Sequence, residues 1–257
     1  MEPRYEEDLW GRIMREHHQG RAAEYAIRRD DGRLEPGHDP HVYFAPPEEF
    51  FPWESDLLVA ATGTVLDLGA GPGRIALWAQ AAGQSVVAVE ASPLTAEVAA
   101  ARGVRDVRRA RWEALSSVLR PEERFDTVLL MGHNLGLAGT LAGLERLLRV
   151  AAERARPGAA LIGSSIEFTR TRDPEHRRYQ AARRAAGRYP GEVVIRVEYA
   201  GAVGPYFPWL LVESQELGAV AQPLGWEVER IRREDPHYGV VLRRRRSRPG
   251  RPSRPPR

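Results

Sequence analysis

Three glycines spaced two residues apart stand out in this sequence, with a carboxylate just before them. Residues 64–68 form a short apolar run containing Asp67, and Gly69, Gly71 and Gly73 follow it, alternating with small residues. A second apolar stretch begins at position 75. This order predicts a buried strand, a tight turn and the N-terminus of a helix. Because glycine has no Cβ, the turn can fold sharply and a ligand can approach its backbone.

A second carboxylate stands at the end of the next apolar run. Residues 86–90 predict a strand that ends at Glu90, 17 positions after Gly73, about where a ribose-binding carboxylate lies in a nucleotide-binding βαβ unit. A dinucleotide fingerprint, G-x-G-x-x-G, would need glycine at position 74, where Arg74 stands. An NAD(P)-binding Rossmann oxidoreductase therefore stays the less favoured alternative, and a Rossmann-like unit without a ligand stays another.

Together, the turn after Asp67 and the strand ending at Glu90 resemble the class I S-adenosylmethionine-dependent methyltransferases. The resemblance implies S-adenosyl-L-methionine as cofactor. It implies that the glycines approach the methionine moiety, that Asp67 anchors this end through its carboxylate and ordered water, and that Glu90 accepts hydrogen bonds from both ribose hydroxyls. In all, it assigns to cofactor binding Asp67, Gly69, Ala70, Gly71, Gly73, Glu90, Ala91, Arg111, Trp112, Met131, Gly132 and Asn134.

The position after the third predicted strand departs from the family. Many relatives carry an acid there that accepts from the adenine amino group, whereas this chain has Arg111. Three ways of holding adenine remain open: a backbone amide near Arg111, stacking on Trp112, or the carboxylate of Glu113.

Two residues are candidate catalytic bases. His133 follows the fourth predicted strand, and its imidazole titrates near neutral pH. Glu167 follows the fifth strand at the same edge of the sheet. A hydrogen-bonded structural histidine is the alternative at position 133. Little other acid–base machinery is expected, because orienting the two reactants supplies much of the rate of methyl transfer. The N-P-P-Y type signature of base and glutamine-amide methylation is missing, which disfavours methylation of base amino groups.

Strands and helices alternate from residue 64 onward, which predicts an α/β fold with a Rossmann-like, doubly wound sheet. We expect this sheet to be mostly parallel with an antiparallel last strand. The predicted strands are 64–68, 86–90, 105–109, 125–131, 159–166, 226–231 and 238–243, and the predicted helices are 73–82, 93–102, 112–119, 139–155 and 214–223. The Arg156-Pro157-Gly158 turn is expected to close the helix before the fifth strand, and it looks like the family's fifth-strand signature.

Two segments lie outside this alternation. Residues 1–63 predict an N-terminal helical segment, partly exposed because its apolar residues are sparse. Its aromatic residues either pack it onto the sheet or form a lid over the cofactor. Residues 167–213 interrupt the methyltransferase domain, 64–243, as an insertion on the substrate side; a decorative or dimer-forming insertion is the alternative. We assign substrate binding to Tyr43, Tyr206 and Trp209. The His38-x-x-His41 pair lacks further ligands, so no metal site is predicted.

Composition narrows the remaining classes. The chain of 257 residues has no cysteine, which excludes disulfides, thiol nucleophiles and Cys-ligated zinc. No apolar run is long enough for a membrane span, and the acidic N-terminus is unlike a secretory signal, so we expect a cytoplasmic protein. The net charge of +3 includes eight arginines in residues 243–257, so the remainder carries −5.

The Arg- and Pro-rich tail, 244–257, is predicted to be disordered. An acidic body without a recognisable RNA-binding module favours a small-molecule methyl acceptor. Recruitment of RNA or another polyanion by the tail is the alternative.

Overall fold

Two β-sheets organise the structure, a computed structural model that describes residues 4–21 and 23–246. The strands are β1 Arg4–Tyr5, β2 Ala26–Arg29, β3 Leu34–Pro36, β4 Thr64–Leu68, β5 Ser85–Glu90, β6 Val107–Arg109, β7 Phe125–Leu130, β8 Ala155–Ile166, β9 Glu192–Tyr199, β10 Ala202–Val203, β11 Phe207–Leu210, β12 Trp226–Glu234 and β13 His237–Arg244. The α-helices are α1 Leu9–His18, α2 Pro52–Leu58, α3 Arg74–Ala81, α4 Pro93–Ala101, α5 Leu141–Arg154, α6 Pro174–Ala185 and α7 Ser214–Ala221.

The larger sheet has seven strands in the order β12-β13-β8-β7-β4-β5-β6. The pairs from β8 to β6 are parallel, and β13 pairs antiparallel with both β8 and β12. This arrangement confirms the Rossmann-like fold class. Successive β4 residues explain the helices on both faces: Val65 packs in a core that includes Leu57 of α2 and Ile75 of α3, whereas Leu66 packs with Leu144 of α5.

One predicted boundary in this sheet is wrong. The Arg156-Pro157-Gly158 turn does not precede the fifth strand but lies inside β8, which starts at Ala155 opposite Phe125. The register between β7 and β8 then shifts, so that Thr127 faces Ala160. This irregularity lets proline and glycine enter the strand without ending it.

The smaller sheet joins the two segments that the sequence presents as separate appendages. Its strands run in the order β1-β10-β9-β2-β3, and β11 pairs with β9 beside β10. Ile27 of the N-terminal segment lies opposite Val197 of the insertion. The two segments therefore form one layer.

One face of helix α1 is buried, although the apolar residues of this segment are sparse. Leu9, Ile13 and Met14 are almost completely buried, and they share a core with Val197 and Tyr199 of the smaller sheet. Their spacing puts them on one face of the helix. The few apolar residues of this segment are enough because the insertion supplies the other half of the core.

The other irregular regions also differ in detail. Strand β11 contains Pro208, which is accommodated because, among the described strands, β11 pairs only with β9. The last strand extends to Arg244, whose guanidinium donates to the Leu224 carbonyl at 2.8 Å. The tail expected from 244 therefore starts inside the fold, and its residues 247–257 lie outside the described part of the chain. Among the helices that the structure describes, none is both long and apolar enough for a bilayer.

Candidate functional site

The carboxyl ends of β4, β5, β7 and β8 open into a cavity of about 1620 Å³. The glycine turn and Glu90 lie on one side, and the smaller sheet forms much of the other. Ligands of open α/β sheets bind at this edge, outside the carboxyl ends of the strands. Twelve of the seventeen residues predicted for the site line the cavity: Tyr43, Gly69, Gly71, Glu90, Ala91, Arg111, Trp112, Gly132, His133, Asn134, Glu167 and Trp209. The other five do not: Asp67, Ala70, Gly73, Met131 and Tyr206.

The glycine turn depends on left-handed backbone. Gly69 has φ +69°, and a Cβ there would lie 2.7 Å from the side-chain nitrogen of Asn134. Gly71 has φ +56°, and a Cβ there would meet no atom within 4 Å. Asn134 closes the turn from β7, because its amide donates to the carbonyls of Leu68 at 3.0 Å and Gly69 at 2.7 Å. The turn thus presents bare backbone to the cavity.

Asp67 is buried at the end of β4, and its Oδ2 has no hydrogen-bond partner among the described residues. Burial raises the pKa of this carboxyl to about 7; Glu90 adds to the rise and Arg74 opposes it. An unpartnered buried carboxylate oxygen is costly unless another group binds it. Asp67 lies behind the glycine turn, where a positively charged amine or a bridging water would satisfy it.

Glu90 also has its carboxylate buried, but the backbone engages it. The carboxylate accepts hydrogen bonds from the amides of Gly71 at 2.9 Å and Ser92 at 2.8 Å. Burial raises the pKa of Glu90, although the amides of Ser92 and Gly71 oppose the shift. Its position on the cavity wall next to Gly71 suits a diol such as ribose.

All three adenine candidates line the cavity. The Trp112 ring is buried, and its indole N–H donates to the Leu137 carbonyl at 3.0 Å, which fixes the ring plane. Arg111 points outward, with 75% of its side chain exposed and its guanidinium 3.6 Å from Glu113. The geometry favours the Trp112 ring or the backbone near Arg111 over the arginine side chain itself.

His133, in the loop after β7, is fixed by its backbone conformation and by two contacts. Its backbone has φ +64°, its N–H donates to Ser164 Oγ at 2.8 Å, and its ring Nε2 lies 3.0 Å from Nδ1 of His237. Burial, followed by the neighbouring His237 and His38, lowers the pKa of His133 to about 3. Its imidazole is therefore uncharged at neutral pH.

Glu167 lines the same edge but is bound to its neighbours. Its carboxylate accepts from Ser214 Oγ at 2.6 Å and from the Arg233 guanidinium at 3.4 Å. Burial favours a raised pKa, but hydrogen bonds from Glu213, Ser214 and Arg233 outweigh it and lower the pKa of Glu167. These contacts favour a role in holding the end of β8 over that of a free base.

Taken together, the cofactor side fits S-adenosylmethionine. Asp67 offers an unpartnered buried oxygen, Gly71 leaves space, Glu90 faces the cavity, and Trp112 lies beside it. A family model described as a methyltransferase domain matches residues 65–158. The chain is similar to a solved S-adenosylmethionine-dependent methyltransferase from Bacteroides fragilis in complex with S-adenosyl-L-homocysteine: identity is 25% and the TM-score 0.75, over 92% of this chain and 94% of that one.

These findings identify the chain as an S-adenosylmethionine-dependent methyltransferase. Two further structures share the fold. A methyltransferase from Methanosarcina mazei is 15% identical, with a TM-score of 0.61 over 77% of this chain and 99% of its own. One from Streptomyces caelestis is 18% identical, with a TM-score of 0.59 over 79% and 92%. No curated protein sequence matches this chain. The cofactor of this methyltransferase is S-adenosyl-L-methionine, which when bound supplies an electrophilic methyl group on a sulfonium.

The part of the cavity wall away from the glycine turn includes two of the three residues predicted to bind substrate. Tyr43 and Trp209 line it, and the Tyr43 hydroxyl lies 3.3 Å from that of Tyr25. Tyr206 is 46% exposed, and its ring packs under Arg196 and does not line the cavity. Its neighbours in sequence, Pro205 and Phe207, do line it.

Several cavity residues of the methyltransferase carry no signal in the sequence. Trp10, Tyr25 and Tyr179 line the cavity because the smaller sheet and the helices packed on it cover the site. Asp8 also lines it. Asp8 is the N-cap of α1, and the sequence could indicate this role because an acid stands just before an apolar helical run. The sequence could not indicate that Asp8 also accepts a hydrogen bond from α4. No group of three or more His, Cys, Asp or Glu in residues 4–21 and 23–246 is arranged to hold a metal ion.

Proposed function

We propose that this methyltransferase acts on a small-molecule acceptor bound between its two sheets. The observation that carries the proposal is the wall that faces the cofactor side. Alternate residues of β9, Val193, Ile195 and Val197, line the cavity together with Phe207 and Trp209 of β11. This wall is apolar and partly aromatic, as is usual for small-molecule sites.

The size of the cavity supports the same acceptor class. Ligand pockets usually enclose about 300–1000 Å³, and the cavity here is about 1620 Å³. Such a volume is enough for the cofactor and a second small molecule. A double-stranded nucleic acid would need an open, basic surface. This cavity is lined by acidic residues as well as by arginines; the acidic residues include Glu7, Glu35 and Glu113.

The residues of the chain bind and orient the two reactants. In this proposal the glycine turn, Asp67 and Glu90 hold the cofactor's amino-acid and ribose ends, with Ala70, Gly73, Ala91 and Met131–Asn134 shaping the same side. Tyr43 and Trp209 contact the acceptor. Residues 1–63 and 167–213 serve domain 64–243 as its substrate-side layer.

The test uses labelled cofactor and a metabolite extract. Incubating the full chain with S-adenosylmethionine carrying a ¹³C-methyl group should label one or a few small molecules, read by mass spectrometry. A matched incubation with total RNA tests the alternative suggested by the Arg-rich end of the sequence. Label in RNA, with none in the small molecules, would contradict the proposal.

A further inference from the structure

His133 and His237 are far apart in sequence but meet at the sheet edge. His133 follows β7, and His237 is the first residue of β13, opposite Ile166 of β8. Their nearest ring nitrogens, Nε2 of His133 and Nδ1 of His237, are 3.0 Å apart. The ring planes differ by 9° and the centroids are 4.9 Å apart, so the rings are nearly parallel. The distance between the two nitrogens suits an N–H···N hydrogen bond.

The backbone holds this histidine pair rigidly. His133 adopts left-handed φ, a conformation that typically costs a non-glycine residue about 1–2 kcal/mol. Its N–H is bound by the completely buried Ser164 hydroxyl, and His237 is fixed by the β-ladder. Strained backbone of this kind is kept where the surrounding structure enforces it, and such sites are frequently functional.

Two neighbouring groups act on the pair in opposite directions. His38, on the loop before Pro40, lowers the pKa of both rings, whereas Glu234 at the end of β12 raises the pKa of His237. Burial is the main cause that lowers the pKa of both histidines. Apart from His237, no residue of the described chain hydrogen bonds to the His133 ring.

A neutral imidazole has one protonated and one bare nitrogen. If His133 donates its Nε2–H to His237, its Nδ1 is left bare. His133 lines the cavity next to Asn134, whose side chain contacts the glycine turn, so its ring lies beside the proposed cofactor site. The other carboxylate at this edge, Glu167, is already bound by Ser214 and Arg233.

We propose that His133 is the base that deprotonates a hydroxyl group of the acceptor, and that His237 is a positioning residue that fixes its tautomer. The proposal rests on the proposed function. It also names the acceptor class, because a hydroxyl must lose its proton to become a strong nucleophile. An amine can attack through its lone pair and release its proton to water afterwards.

The acceptor's O–H proton passes to Nδ1 of His133 while its oxygen forms a bond to the methyl carbon. The methyl–sulfur bond breaks and leaves its electron pair on sulfur, giving a methyl ether and a neutral thioether. The positive charge thereby moves from sulfur to the His133 imidazolium. Its Nε2–H then makes a charge-assisted hydrogen bond to His237, which is stronger than the neutral one.

The first arm of the test needs no substrate. Two-bond ¹H–¹⁵N correlation spectra of the labelled full chain report each ring's tautomer, and the spectra of His133→Gln and His237→Asn assign the two signals. We expect His133 to stay neutral with Nε2 protonated from about pH 6 to about pH 8. An Nδ1–H tautomer of His133 would overturn the proposal, because the nitrogen that should take the acceptor's proton would already carry one.

The second arm uses turnover with the metabolite extract. General-base catalysis is typically worth about 10²- to 10⁴-fold, so His133→Gln should lower kcat at least about 100-fold with cofactor affinity unchanged. We expect His237→Leu to lower kcat about tenfold at unchanged KM. We expect His237→Asn to keep most of the wild-type kcat, because the asparagine side chain can place its oxygen where Nδ1 of His237 lies. Melting temperatures show whether each variant is folded.

His41→Asn is the matched control, since His41 lies outside the cavity and pairs with Glu49. Wild-type kcat in both His237 variants would overturn the positioning role. A ¹³C shift showing the new methyl on nitrogen, carbon or sulfur would overturn the hydroxyl assignment. If the wild-type chain labels no small molecule, the proposed function fails, and the spectra still decide the state of the pair.

Discussion

Burial of the Asp67 carboxyl lowers the stability of the folded chain at high pH. Burial raises the pKa of its carboxyl to about 7 in the folded chain, against 3.8 for the free side chain. Between these two values the folded state binds more protons than the unfolded state, so the contribution of Asp67 to stability falls as pH rises. The destabilisation is complete above about pH 7 and absent below about pH 4, because there both states are protonated.

We therefore predict that Asp67→Asn stabilises the cofactor-free protein at pH 8 and weakens cofactor binding. Each pKa unit is worth about 1.4 kcal/mol, so the free energy of unfolding should rise by up to about 4 kcal/mol at pH 8, and hardly at all near pH 4. Denaturant unfolding at both pH values measures it. A variant with unchanged stability at pH 8 would show that burial does not raise the pKa of this carboxyl.

Cofactor binding should reveal the same proton. If Asp67 faces the cofactor's ammonium group, binding favours its ionised form, so affinity should rise as pH increases through about 7 and the bound state should release protons. Calorimetry in two buffers of different ionisation enthalpy measures the release. Affinity that is flat from about pH 6 to about pH 8 would separate Asp67 from the cofactor.

Glu90→Gln should lower cofactor affinity about 10- to 150-fold, since losing a hydrogen bond to a charged group costs about 1.5–3 kcal/mol. From the sequence alone, the stability of the cofactor-free protein would be expected to change little. The structure corrects this, because the carboxylate accepts from Gly71 and Ser92, and glutamine has only one oxygen. We expect a loss of about 1–2 kcal/mol in the free energy of unfolding. Unchanged affinity for S-adenosylhomocysteine would remove Glu90 from the site.

The residues of the cofactor side could be proposed from sequence because they are local. The turn lies within one strand–turn–helix unit, and Glu90 ends the next strand, so fixed spacing places them together. His237 could not be found this way. It meets His133 only because β13 runs antiparallel beside β8, a pairing that no short motif encodes.

At the scale of elements, helix α1 connects the smaller sheet to the cofactor side of the larger sheet. Asp8 caps α1 by accepting from the Gly11 amide at 3.1 Å, and its second oxygen accepts from the Leu94 amide of α4 at 3.1 Å. Arg102, the residue after α4, joins the N-terminal segment to the glycine turn, because it donates to the carbonyls of Phe44 at 3.0 Å and Pro72 at 2.7 Å. The layer is thus latched directly over the glycine turn.

Two substitutions at position 8 should separate capping from latching. Asp8→Ala removes both hydrogen bonds, and a lost N-cap costs about 0.5–2 kcal/mol. Asp8→Asn keeps a good N-cap but sets an amide N–H against the Leu94 N–H. We expect Asp8→Asn to retain most of the stability yet release S-adenosylhomocysteine faster, as measured by stopped-flow Trp fluorescence. Equal dissociation rates in wild type and Asp8→Asn would mean that the latch does not control exit.

The elements of the large sheet follow from alternation of local patterns, whereas those of the small sheet do not. Strands such as β7 are apolar throughout, as expected for a sheet covered on both faces. β2 and β9 are short and mixed in polarity, and they pair across about two thirds of the chain. Neither one predicts its partner, so the sequence presents two appendages where the structure has one layer.

At the scale of the whole molecule, the cavity exists only because these two layers face each other. The glycine turn and Glu90 belong to the large sheet, while Ile195 and Trp209 belong to the small one. The small sheet in turn stands on a core shared by α1 and β9, with Ile13 and Val197 both buried in it. Weakening that core should therefore disturb ligand binding without touching any ligand contact.

Ile13→Ala tests this dependence. Ile13 is completely buried, and truncating such a residue costs about 2–5 kcal/mol. We expect one cooperative unfolding transition, with the free energy of unfolding lowered by that amount. We also expect weaker binding of S-adenosylhomocysteine, because the layer that covers the site is less firmly packed. Val59→Ala is the matched control, because Val59 is 70% exposed and should change neither property. Calorimetric unfolding with and without S-adenosylhomocysteine measures both. A separate early transition that S-adenosylhomocysteine does not shift would show that the small sheet folds independently of the cofactor site.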